Sequence, residues 1–578
     1  MLTCFFLISE LNEHTKYFFF LSGIQTEIIS ISINKSTLSI ILVFECIHYG
    51  ILNDCLVLCL HADKNTFFMS DHHIYNELIS KYKDYDDTFN ALHRLRSNEG
   101  EEITNVYKQI KNNLIETSYF SADSMINIIK GIIRFNNRYV KGYKSLMTKL
   151  CQEFHLDKYD IIQSIPNLHE ENTIYNAIVN DDIDAFISFT EQEEFNLNQK
   201  SKIDLYPIQD FPYSLIELCS YYGSVKCFKL LRSKYNSKTT RLCLYNSFLG
   251  ENPDIMSECM KEQKINGSCM QYSLAVHNID FVTYLMNEHN LEIELNYCYY
   301  YHNIHAYFIY LDQTNNFNEC FTYSPCFFIP NLIEYLFSHV SDINFTNKGG
   351  MSALHYSSVV NNKSAAEFLI AHGANVATTI KMSRKSSIHI AAEHNSLETA
   401  NLLITYGADV NAKSNQDLTP LHHAALFNSK ETAELLIAYG ADIHAKTSRS
   451  FNALHFAARE NSKEIEELLI ACGIDVNAIE DNYKKSALHY AAENGCEEIV
   501  KFLISNGADI NIRDNLDYTA LHCASCNGNK EIIETLLSHG ADINAKGFHD
   551  MTPLCCAITH NEEEAAKFLI SRGAKIKP

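Results

Sequence analysis

From Ser352 to Lys577 the hydrophobic and polar positions repeat every 33 or 34 residues, seven times over. Each period reads as two short helices. The first opens on Ser352-Ala-Leu-His355, Ser386-Ser-Ile-His389, Thr419-Pro-Leu-His422, Asn452-Ala-Leu-His455, Ser486-Ala-Leu-His489, Thr519-Ala-Leu-His522 and Thr552-Pro-Leu-Cys555. It carries small pairs such as Ala391-Ala392, Ala424-Ala425, Ala457-Ala458 and Ala491-Ala492, which let neighbouring helices approach closely. The second repeats Leu402-Leu-Ile, Leu435-Leu-Ile, Leu468-Leu-Ile, Phe502-Leu-Ile and Phe568-Leu-Ile on one face. Polar positions punctuate the helices. The leading Ser, Thr or Asn accepts from free amides at a helix start. A stop follows at Asn361, Asn395, Asn428, Asn461, Gly495, Gly528 or Asn561, residue types that enter the left-handed region readily. Gly373, Gly407, Gly440, Gly473, Gly507, Gly540 and Gly573 close the second helix in the same register. Two landmarks sharing one period predict a solenoid.

Upstream the period shortens. The second-helix endings Phe228–Leu231, Ile255–Met260, Phe281–Met286, Ala306–Leu311 and Leu332–Phe337 end 29, 26, 25 and 26 residues apart. Helix pairs with abbreviated connecting hairpins account for that spacing. Between Ser70 and Pro166 the helical faces are Ile74, Leu78 and Tyr82; Val106, Ile110 and Leu114; and Met125, Ile128, Ile129, Ile132 and Ile133. The expected organisation is an apolar segment over 1–68, a helical region over 69–166, divergent repeats over 167–341 and seven repeats over 342–578. The fold class is mainly α. Residues 1–68 support three readings: an extension preceding a true start at Met69, an ordinary buried segment, or a membrane anchor. Residues 38–60 have the length of a membrane helix, but Glu45, His48, Asn53 and Asp54 interrupt them.

Composition narrows the function. A net charge of −23 disfavours nucleic acid as a partner, because phosphate binding requires neutralising Lys and Arg. The nineteen cysteines are scattered through apolar helical contexts, as expected of reduced thiols in a cytoplasmic protein. Cys523-x-x-Cys526 has half of a zinc spacing, yet its nearest complement, Cys555-Cys556, lies one repeat on, at an expected separation of roughly 10 Å. No metal site and no cofactor are expected. The recurrent histidines fit a structural role, bonding the backbone of the neighbouring hairpin. No phosphate-binding loop, dinucleotide fingerprint or nucleophile elbow occurs, so no enzyme activity is expected.

The seven-fold block resembles the ankyrin repeat, whose consensus contains Thr-Pro-Leu-His, an Ala-Ala pair, a turn Gly, a Leu-Leu pair and Gly-Ala-Asp-x-Asn. Five of the seven units lack the proline, and Cys555 replaces the last histidine. With Tyr221-Tyr-Gly-Ser-Val-Lys-Cys-Phe228, His277-Asn-Ile-Asp-Phe281 and Phe327-Phe-Ile-Pro330, the chain also resembles a large protist family of ankyrin proteins with an uncharacterised N-terminal region. The resemblance implies the fold and brings no activity with it. A stacked array binds partner proteins on its concave face. The expected function is a scaffold or adaptor, with a membrane-tethered scaffold anchored by residues 38–60 as the alternative. The candidate partner-binding residues follow the Ala-Ala pair or sit in hairpins. They are Leu426, Phe427, Val359, Val360 and Arg459, then Arg449, Phe451, Tyr483 and Lys484.

Overall fold

The computed structural model of the chain describes residues 74–166, 171–201, 205–208 and 211–575, and before them the backbone of His73 and of five strands. Phe5–Ser9 pairs antiparallel with Lys16–Phe20, and Ser39–Glu45 lies between Glu27–Asn34 and Cys55–His61, antiparallel to both. Over its described part the stretch 38–60 therefore forms two paired strands, which corrects its reading as a membrane helix. The rest of that stretch and Met69 lie outside the described residues. Among the described residues no helix is long and apolar enough to cross a membrane.

The remainder is a helical solenoid. Its seven late pairs run from Ala353–Val359 with Lys363–Ala371 to Pro553–Thr559 with Glu563–Ser571. First helices stack on first helices and second on second. The contact can be close because Ala391, Ala392, Ala424, Ala425, Ala457, Ala458, Ala491 and Ala492 are all fully buried. Hairpin tips join along the array by backbone bonds: Asn415 to Ser383, Ser448 to Gln416, Asp481 to Arg449, Asn515 to Tyr483 and Phe548 to Leu516, at 2.8–3.2 Å.

The early pairs continue the same stack. Their second helices are Val225–Lys234, Pro253–Glu262, Ile279–His289, Ile304–Thr314 and Pro330–Phe337, each containing the ending expected from the sequence. The connections are short, as from Thr314 to Phe317. One further pair, Ile174–Val179 with Ile183–Thr190, precedes them.

The N-terminal helices include His73–Lys81, Lys83–His93, Glu101–Gln109, Ala122–Ile132 and Val140–Phe154. Leu78, Val106, Ile110, Leu114, Met125, Ile129 and Ile133 are buried as their spacing requires, although Ile126 rather than Ile128 takes the innermost place. These helices pack onto the early pairs, so one hydrophobic core runs from Leu78 to Leu569.

Candidate partner-binding surface

Every helix pair turns through a residue in the left-handed region, and these turn residues form a column along the solenoid. In the late pairs the column is Asn361, Asn395, Asn428, Asn461, Gly495, Gly528 and Asn561. The asparagines do more than tolerate positive φ. Asn361 Oδ1 accepts from the Thr399 amide and Asn395 Oδ1 from the Thr432 amide, both at 3.1 Å. Their amide groups donate to Glu398 and Glu431, and Asn428 donates to Glu464 at 2.9 Å. These three turns thus tie themselves to the second helix of the next pair.

In the early pairs the same position holds Glu251, His277, His302 and Phe328, side chains that a left-handed backbone disfavours. Their partners explain the choice. Glu251 bonds Arg94 and Arg96 at 2.9 Å each. The rings of His277, His302 and Phe328 lie 4.0, 4.7 and 5.0 Å from those of His93, Phe89 and Phe120. The residues just before the turn join in: Tyr222 donates its hydroxyl to Asn137 Oδ1 at 2.9 Å, and Tyr301 meets Phe135 edge-on at 5.1 Å. Burial pushes His277 down to about 4 and His302 to about 3, so both are neutral at physiological pH. The early column is therefore a docking surface that the chain fills with its own N-terminal helices.

Along the late pairs the position before the turn is Val360, His394, Phe427, Glu460, Asn494, Asn527 and His560. Phe427 is 57% exposed there, whereas its neighbour Leu426 is half-buried against the core. Adjacent residues on a helix point about 100° apart, so the two cannot share one role. Val359 and Val360 are half-buried. Arg459 lies over the Phe456 ring at 5.3 Å and pairs with Glu460 at 2.8 Å. Phe451 is spent internally, its ring 5.5–5.7 Å from those of His455, Phe456 and Tyr490. Arg449, Tyr483 and Lys484 are exposed at hairpin tips. The tips also expose Met382, Leu516 and Phe548, the last at 53%, which the repeat pattern did not single out. Their signal was a large apolar residue three or four places before the cap, in a segment that is otherwise polar.

Residues 327–414, 378–447, 421–514 and 513–578 match the family model for ankyrin repeats. The chain carries an ankyrin-repeat array. Residues 235–310 match a domain of unknown function (DUF3447), which places much of the early column inside a separately recognised segment. Among solved structures the chain is similar to the human ASB11 ankyrin repeat domain, with 26% identity over 39% of this chain and 99% of that one and a TM-score of 0.36. No curated protein matches. Ankyrin repeats generally mediate protein–protein interaction and are typically non-enzymatic.

The histidines of the ankyrin array are structural in detail. The backbone amide of each helix-capping residue donates to Nδ1 of the histidine three places on, at 3.0–3.2 Å, from Ser352 with His355 to Thr519 with His522. Nε2 of His389, His455, His489 and His522 then donates to Ala412, Ala478, Tyr518 and Met551 carbonyls in the following hairpin. Only a neutral ring can accept at one nitrogen and donate at the other, and burial holds His389 and His455 down to about 4.

The cysteines depart from the expected separation of one repeat, because the Cys526 thiol hydrogen-bonds that of Cys556 diagonally across the repeat boundary. That bond holds Cys526 down to about 7, while burial pushes Cys523 up to about 12. Brief iodoacetamide treatment at pH 7.5 is expected to alkylate Cys526 well before Cys523 or Cys556, read by peptide mass spectrometry. Equal rates at the three sites would show that the thiol–thiol bond does not govern reactivity.

Proposed function

We propose that the ankyrin array is an interaction scaffold that receives a helical segment of a partner protein on its turn column around Phe427, beside the hairpin tips. One observation carries this reading. Phe427 occupies the register position filled by Tyr222 and Tyr301 in the early pairs, where Asn137 and Phe135 of the N-terminal region meet it. The same position that binds helices within the chain is thus left apolar and uncovered further along. The exposed Tyr483, Leu516 and Phe548 at the tips widen the apolar area on which a partner can sit.

Affinity purification with the full chain tests the proposal. Phe427→Ser is expected to reduce partner recovery about tenfold or more, the scale of a central aromatic anchor. Its melting curve should stay unchanged, because the side chain is mostly solvent-exposed. Undiminished recovery of every partner from Phe427→Ser and from Phe427→Ser combined with Tyr483→Ser overturns it.

A further inference from the structure

A cavity of about 330 Å³ lies between the N-terminal helices and the early turn column. Three guanidinium groups line it, those of Arg94, Arg96 and Arg138, against a single carboxylate, Glu251. Two positive charges are left in excess, in a chain whose net charge is −23. Glu251 holds Arg94 and Arg96 in place but can neutralise only one of them.

Arg138 is less fully used. It donates to the Tyr222 carbonyl at 2.5 Å and lies over the Tyr222 ring at 5.6 Å, yet its buried Nε–H has no acceptor among the described residues. The same wall holds a complementary atom. His93 Nδ1 bonds the Ala275 carbonyl at 2.9 Å, and since a carbonyl only accepts, Nδ1 carries the proton and Nε2 presents a bare lone pair. Nε2 is buried and has no donor among the described residues. Unpartnered buried polar atoms are costly, and here a charged donor and a neutral acceptor belong to two residues that line one cavity.

We propose that this cavity binds a phosphomonoester that also carries a hydroxyl or amino group, of the nucleoside monophosphate or sugar phosphate class. The phosphate sits on Arg138 and Arg96, and the ligand's own donor satisfies His93 Nε2. A phosphomonoester carries close to two negative charges at neutral pH, which matches the excess of two, whereas a carboxylate would leave one uncompensated. The volume falls within the range of small-molecule sites. Both walls must stay together for the site to exist, so its occupant also fastens the N-terminal helices to the early pairs.

Calorimetric titration of the full chain with adenosine 5′-monophosphate and ribose 5-phosphate, and with adenosine as the uncharged control, decides the matter. Both esters should bind and adenosine should not. Arg138→Gln should weaken binding about tenfold or more. Arg96 is largely exposed, so Arg96→Gln leaves the fold intact and should weaken binding several-fold. Glu251→Gln removes the opposing charge and should tighten binding, although it lowers stability; a merely structural role for these residues gives no such opposite sign. Esters that bind no better than adenosine overturn the proposal, as does binding unchanged by Arg96→Gln and by Glu251→Gln.

Discussion

Replacing Glu466 with valine is expected to stabilise the ankyrin array by about 3 kcal/mol at pH 7. Glu466 lies in the helix Lys463–Ala471, fully buried, and neither carboxyl oxygen has a hydrogen-bond partner among the described residues. The equivalent residues of the other late pairs are Ala366, Ala400, Ala433, Val500, Ile533 and Ala566. Burial, assisted by the nearby Glu467 charge, pushes the Glu466 carboxyl up to about 8 from an ordinary value of 4.5. Between those two values the folded state holds a proton that the unfolded state has released. Stability is therefore greatest below pH 4.5, falls as pH rises, and levels off above about 8. At pH 7 about 2.5 pH units of this penalty have accumulated, at about 1.4 kcal/mol per unit. Valine removes the ionisable group at a helix-propensity cost of a few tenths of a kcal/mol. Urea unfolding of both proteins at pH 5, 7 and 8.5 should show the gap widening with pH. A gap independent of pH would mean that the carboxylate is not desolvated.

Phe89→Ala is expected to cost about 3–5 kcal/mol, the range for removing a fully buried aromatic ring. Phe89 packs 4.7 Å from His302 and 4.8 Å from Tyr85, at the centre of the contact between the N-terminal helices and the early column. The loss should stay local, because stability in a solenoid is set by each unit and its neighbours. Hydrogen exchange should accelerate in Lys83–His93 and Ile304–Thr314 and remain unchanged from Pro420 onward. Faster exchange throughout the late pairs would show that the whole solenoid unfolds as one unit.

The parts legible in the sequence were those fixed by local rules. Caps such as Thr419, turns such as Asn428 and faces such as Leu435-Leu-Ile follow from hydrogen bonds and dihedral preferences within a few residues. The early second helices were found for the same reason. The pair Ile174–Val179 with Ile183–Thr190 was missed because its first helix is a single short turn and a half with no landmark residue. The early column was missed for a different reason: His277 and His93 are 184 positions apart, and nothing local to either predicts their stacking. The candidate surface shows the same division. Periodicity marked Leu426 and Phe427 together, and only packing separates the core-facing residue from the exposed one. It also marked Phe451, whose ring is consumed by aromatic neighbours.

The asparagine ties between successive late pairs bear on how such a chain changes over generations. Asn361 meets Glu398 and Thr399, and Asn395 meets Glu431 and Thr432, in the same geometry. If a unit among those joined through Asn361, Asn395 and Asn428 is deleted or duplicated in the gene, the new junction still brings an Asn against a Glu, so this stretch can change length by whole units without inventing an interface. The early pairs have no such freedom. Glu251, His277, His302 and Phe328 are each matched to a different residue of the N-terminal helices, so losing one unit would put every later match out of register. Variation in repeat number is therefore expected in the C-terminal block rather than in the early block.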